Sequence, residues 1–194
     1  MKLFNIKKLK DKKNGFTLIE TLMAVLIFSM SIMAVVFVIS DDIADIEYAK
    51  KKMTASYLAE EGIEYMRNLR DAYTLYDAGG GQTGWNSYRV KIDPCNITSV
   101  PSRSCYYSYP NLFSQGNMKN TNVLSCVGNC PTLYKSSLGG YEYNVPGAVD
   151  GYKREIKTKE LNANEIEISS TIYWYHGVDS FHITFNTILS NWKE

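Results

Sequence analysis

The 25 residues from Phe16 to Ser40, FTLIETLMAVLIFSMSIMAVVFVIS, carry one ionisable side chain, Glu20. As a helix the run reaches roughly 37 Å, enough to cross a hydrocarbon core of about 30 Å. It is too long for an ordinary buried core helix. It also exceeds the usual apolar core of a secretory signal, and Val38-Ile39-Ser40 lacks the small-residue form of a signal cleavage site. Six lysines (2, 7, 8, 10, 12 and 13) and Asp11 give residues 1–15 a charge of +5. Subtracting that from the chain's net +1 leaves −4 on the remainder. Lysines on the N-terminal flank keep that end cytoplasmic and place the rest of the chain outside. A plain signal anchor fits length and charge equally well.

Glu20 is what a plain anchor leaves unexplained. A carboxylate near the centre of an apolar helix costs about 2.5–3.5 kcal/mol on insertion scales, and such a group by default has a function and a partner. Gly15 stands immediately before the run. A cut after Gly15 would give Phe16 a free ammonium, four residues and one helical turn from Glu20. The carboxylate also lies near the helix N-terminus, where the dipole favours negative charge. In an assembly, Glu20 of one copy would neutralise the amine of its neighbour. A buried pair of this kind fixes register, which apolar surfaces sliding past one another lack.

Lys12-Lys13-Asn14-Gly15-Phe16-Thr17-Leu18-Ile19-Glu20 resembles the class III leader and cleavage site of type IV prepilins. The resemblance covers roughly residues 8–40. It implies that Gly15 precedes the cut made by prepilin peptidase, that Phe16 becomes the N-methylated first residue, and that Glu20 recognises a neighbouring subunit's amine. It further implies a pilin fold, α+β, with a long N-terminal helix packed on a C-terminal antiparallel sheet. Many major pilins have a proline partway through the apolar helix. This chain has none there, which points to a minor pilin or a pseudopilin. Some tip pseudopilins lack the glutamate, so its presence argues against that position.

From Asp41 to about Tyr73 the helix is expected to continue in amphipathic form. Ala55, Leu58, Gly62, Met66, Leu69 and Tyr73 recur at steps of three and four, joined by Ala59 and Ile63. Tyr57–Glu64 through Arg67–Asp71 resembles a stretch of PilV-type minor pilins, although a solvated helix with ordinary ion pairs accounts for it too. The expected organisation is a cleaved leader (1–15), a membrane or filament-core helix (16–40), an amphipathic continuation (41–76) and an extracytoplasmic head (77–194).

Gly79-Gly80-Gly81 is expected to end the helix as a flexible linker; it lacks the phosphate-loop pattern and follows a helix, not a strand. A variable middle, 77–150, follows, with short strands expected at Tyr88–Ile92 and near Tyr141–Val145. It holds Cys95, Cys105, Cys126 and Cys130. An even, clustered set outside the membrane suits disulfides. Four cysteines allow three connectivities; the local one, Cys95–Cys105 with Cys126–Cys130, is preferred, and zinc is the alternative. Further on, Ile166, Ile168, Ser170, Ile172 and Trp174 alternate with polar residues, as do Phe181, Ile183 and Phe185, with His176-Gly177-Val178-Asp179 as a turn between. Tyr152–Leu161 is a third strand, and Trp192 is expected to close the core.

No catalytic pattern accompanies the two histidines, His176 and His182. A basic leader ahead of a mildly acidic body does not suit nucleic-acid binding. The fifteen tyrosines invite a glycan-stacking reading, but tyrosine is also an ordinary half-buried strand residue. The leading expectation is a structural, minor subunit of a type IV pilus or pseudopilus and not an enzyme. It needs no cofactor or metal. It starts as a single-pass inner-membrane precursor, is cut by prepilin peptidase, and then joins other pilins in a pilus or pseudopilus. The alternatives are a type II secretion pseudopilin and a monomeric, signal-anchored binding protein of adhesin type.

Overall fold

The computed structural model describes residues 15–76, 81–98, 100–108, 122–137, 139–143 and 151–192. Helix α1 runs from Leu18 to Tyr76. The chain forms two compact units, one ending at Glu47 and one beginning at Tyr48, and α1 contributes to both. In the first unit every described residue is exposed.

The second unit is an α+β domain built on an antiparallel sheet. Seven strands are seen among the described residues: β1 (Cys105–Ser108), β2 (Asn122–Ser125), β3 (Thr132–Lys135), β4 (Tyr141–Tyr143), β5 (Gly151–Asn162), β6 (Glu165–His176) and β7 (Asp179–Ser190). Strands β5, β6 and β7 form a meander of twelve-residue strands. Along its other edge β5 meets β3 at residues 151–153, β1 at Ile156 and a bridge from Asn96 at Thr158. β1 and β3 pair onward with β2 and β4. The β6–β7 turn is the two-residue Gly177-Val178, with Gly177 at φ +63°. That left-handed conformation costs glycine nothing, and it is where the sequence places the turn.

Residues on α1 from Ala55 to Leu69 bury one stripe against the sheet: Ala55, Leu58, Ala59, Ile63, Met66 and Leu69. The facing strand positions are those that alternate in sequence, Ile166, Ile168, Ile172 and Trp174, all buried. Gly62 is the point of closest approach. A Cβ built there would stand 2.5 Å from Ser170 Oγ and 3.3 Å from Arg154 Cδ, so a larger residue would force those side chains to move. The core has two parts. One gathers Ala55, Leu58, Leu133, Tyr152, Ile172 and Trp174. The other gathers Met66, Leu69, Trp85, Tyr88, Ile156 and Ile168.

Three expectations are corrected here. Tyr88–Ile92 is not a strand: it ends a second helix, α2 (Gly81–Ile92), followed by a 3-10 turn, Asp93–Cys95. The deciding signal is Trp85, Tyr88 and Ile92, spaced three and four apart and all buried. A five-residue window centred on Val90 is too short to show that period. Gly81 accordingly opens a helix and belongs to no linker, while Gly79 and Gly80 lie outside the described residues, as does Val145. Gly84 is where α2 lies on the backbone of α1 at Tyr73 and Thr74, leaving no room for a Cβ. Trp192 does not close the core. It is 50% exposed, and its indole donates to Asp71 Oδ1 at 3.2 Å. Trp85 fills that place instead, fully buried, with Nε1 donating to the Ala163 carbonyl at 2.8 Å.

Candidate functional site

The segment singled out by the sequence is the start of α1. Gly15, Phe16 and Thr17 precede the helix, which begins at Leu18. Thr17 caps it. The Glu20 amide donates to the Thr17 carbonyl at 3.1 Å and, more weakly, to Oγ1 at 3.4 Å. Thr17-Leu18-Ile19-Glu20 therefore has the S/T-x-x-E spacing of a capping box with its first arm in place. Sequence reasoning assigned Thr17 no role, although that spacing was there to be read. The peptide between Gly15 and Phe16 consequently stays outside the helical hydrogen-bond ladder. A Cβ built on Gly15 would meet nothing within 4 Å, so packing against the described residues does not demand glycine there.

Downstream, the polar groups of the apolar run close on themselves. Thr21 Oγ1 donates to the Leu18 carbonyl, Ser29 to Val25, Ser31 to Ile27 and Ser40 to Val36, at 2.8 to 2.9 Å. A hydroxyl that returns to its own helix can face hydrocarbon without an unmet donor. The apolar side chains themselves are uncovered: Phe16 is 81% exposed, and Leu22, Val25, Phe28, Met33 and Phe37 are likewise on the surface. This helix is long and apolar enough to cross a membrane, and none of its apolar window is buried. A contiguous surface of that kind requires lipid or other helices around it. Glu20 is exposed in its midst, and among the described residues its carboxylate has no hydrogen-bond or ion-pair partner.

The cysteines lie elsewhere, in the second unit. The structure joins Cys95 to Cys105 and Cys126 to Cys130. The first bridge ties the 3-10 turn after α2 to β1, and both of its sulfurs are buried. The second closes a short loop after β2 containing Gly128 at φ +71°. With all four sulfurs paired, no thiolate remains for zinc. His176 packs edge-on against Tyr48, and His182 stands beside Tyr173 on the opposite face of the sheet.

The sequence reading also missed Arg154. It is fully buried and donates to Glu61 Oε2 at 3.1 Å and to the Leu58 carbonyl at 3.2 Å. Its guanidinium lies 4.2 Å over the ring of Tyr107, which stacks on Tyr65 at 3.7 Å. Burial raises the pKa of the neighbouring Tyr143 phenol, and the Arg154 charge pulls the other way. The visible signal was parity. Residues 152, 154 and 156 share the inward face of β5, and an arginine between Tyr152 and Ile156 needs a partner there.

Residues 10–39 match the family model of the prokaryotic N-terminal methylation motif. No curated protein and no solved structure gives a significant match. The motif, together with the uncovered apolar helix, supports a type IV pilin-like or pseudopilin-like precursor anchored in a membrane.

Proposed function

We propose that this chain is a structural, minor subunit of a type IV pilus or pseudopilus, without catalytic activity of its own. Prepilin peptidase hydrolyses the peptide between Gly15 and Phe16, leaving a carboxylate on Gly15 and an ammonium on Phe16. The new amine is methylated, and Glu20 pairs with the corresponding amine of a neighbouring subunit as the helix leaves the inner membrane for the filament. The observation that carries the reading is the lone Glu20 carboxylate, without a partner among the described residues, on an uncovered apolar helix inside the matched motif. Two features support processing at this bond: it lies ahead of the Thr17 cap, and Gly15 has no packing reason of its own to be glycine. The minor role rests on the proline-free apolar run.

The test is the intact mass and N-terminal sequence of the protein extracted from membranes of cells that carry the peptidase. A chain beginning at Phe16 and heavier by one methyl supports the proposal. An intact Met1, or a start beyond Ser40, removes it in favour of a plain anchor or a secreted protein.

A further inference from the structure

The outer face of the sheet carries a depression of about 500 Å³ that plays no part in anchoring or assembly as described above. It lies across β3, β5, β6 and β7, on the side away from α1. Two cross-strand rows build it. One aligns Thr132, Lys153, Tyr173 and His182. The other pairs Tyr134 with Gly151, and Tyr175 with Ser180. Gly151 shapes the floor. A Cβ there would collide with the Thr132 methyl group and approach within 2.9 Å of the Tyr134 ring, so glycine lets both side chains lie down on β5. Tyr175 on the far side is 66% exposed, a large wet ring on a face where a small polar residue would serve solubility better.

In the wall sits Glu155, a carboxylate only 9% exposed. Lys157 Nζ approaches it to 3.7 Å, and the Tyr173 hydroxyl lies beside it. Burial, and then the adjacent Glu155 charge, raise the Tyr173 phenol, which keeps it protonated. Lys153 Nζ, on the same face, reaches Asn129 Oδ1 at 3.5 Å. The lining thus combines aromatic rings with the Glu155 carboxylate and the Lys153 ammonium, with Lys157 beside the carboxylate. A quaternary ammonium would suit the tyrosines but not Lys153, and an acidic ligand would meet Glu155. A neutral ring with C–H faces to stack on tyrosine, and hydroxyls to bond a carboxylate and an ammonium, satisfies all of them.

We propose that the depression bounded by Tyr134, Tyr173, Tyr175, Lys153 and Glu155 is a binding site for a neutral pyranose, such as the terminal residue of a glycan. The site belongs to the head alone and does not depend on how the N-terminal helix is processed or assembled.

Saturation-transfer difference NMR tests it, using the full chain in lauryldimethylamine oxide micelles, because a sugar-headed detergent would compete. The probes are methyl β-D-galactopyranoside, methyl β-D-glucopyranoside and methyl α-D-mannopyranoside, with tetramethylammonium and galacturonate alongside. Expected is saturable transfer to at least one neutral pyranoside with a millimolar Kd. Tyr175→Ala and Glu155→Gln should each weaken it about tenfold or more, while Tyr175→Phe keeps the ring and most of the affinity. Tyr57→Ala, on α1 away from this face, should leave it unchanged, and all four variants should keep the parent's far-ultraviolet circular dichroism. Absence of saturable transfer to all three pyranosides, equal transfer in Tyr175→Ala, or a preference for tetramethylammonium or galacturonate would overturn the assignment.

Discussion

Glu20 and Arg154 are both ionisable side chains set among apolar neighbours, and the protein treats them in opposite ways. Arg154, in the second unit, is fully buried and closed off by Glu61, the Leu58 carbonyl and the Tyr107 ring. Glu20, in the first unit, lies on a stretch where the hydroxyls of Thr21, Ser29, Ser31 and Ser40 return to the helix backbone, yet its carboxylate is left without a partner among the described residues. Arg154 finds its partners within the chain. Glu20 finds none among the described residues, and in the proposed function its partner is the amine of a neighbouring subunit. Burial alone therefore does not mark a functional charge; the location of its partner does.

The largest effect should come from breaking that asymmetry at Glu20. Glu20→Gln keeps the shape and removes the charge. Filaments or pseudopili seen by electron microscopy should be lost almost completely, while the mature mass still begins at Phe16, since the cut precedes the pairing. Normal filaments from the variant would mean that the carboxylate is not the assembly contact. At Arg154 the expected effect is confined to stability. Arg154→Ala empties a fully buried site and should cost about 2–5 kcal/mol in denaturant unfolding. Arg154→Met refills the volume without a charge to desolvate and should stay within about 1.5 kcal/mol of the parent. A loss in the methionine variant as large as in the alanine one would show that the ion pair itself, and not packing, holds helix and sheet together.

Much of this contrast was legible in the sequence, and the reasons are physical. The apolar run, its lone acid and the Gly15-Phe16 junction are read without any tertiary information. The long strands are legible because twelve-residue alternation such as Glu165–His176 leaves little ambiguity of period. α2 was misread because Tyr88–Ile92 holds too few residues to separate the two periods, and the deciding Trp85 lies outside that window. Strand β4, Tyr141–Tyr143, lies where a short strand was expected, whereas β1 to β3 have four residues each and are too short to show a period. Thr17 and Arg154 were visible as pattern, one as a cap spacing and one as a charge at an inward position, but neither reveals its geometry without the fold.

The bridges give the next effect. In the chain-entropy account, a cross-link over the ten-residue separation of Cys95 and Cys105 contributes about 3 kcal/mol, and one over the four-residue separation of Cys126 and Cys130 about 2 kcal/mol. Paired Cys→Ala variants should lose stability in that order, with the first pair also losing sulfur packing beneath β1. The reverse order would mean that the short loop, and not the turn after α2, is the weaker part of the head.

The smallest effect should come from Tyr88, and its sign is opposite to the others at neutral pH. Its ring is fully buried and its hydroxyl has no hydrogen-bond partner among the described residues. Burial is the main cause of a strongly raised phenol pKa, with Arg70 opposing it and Asp71 adding to it. A raised acid pKa means that the native state holds its proton more tightly than the unfolded chain does. The stability it contributes is whole below the ordinary tyrosine value of about 10 and declines as pH climbs above it. Tyr88→Phe removes both the orphaned hydroxyl and the titration. At pH 7 it should be neutral or up to about 1 kcal/mol more stable, and above pH 10 it should fall less steeply than the parent. A variant clearly less stable at pH 7 would mean that the hydroxyl has a partner beyond the described residues, and Tyr88 would then resemble Glu20 in being completed by a group outside them.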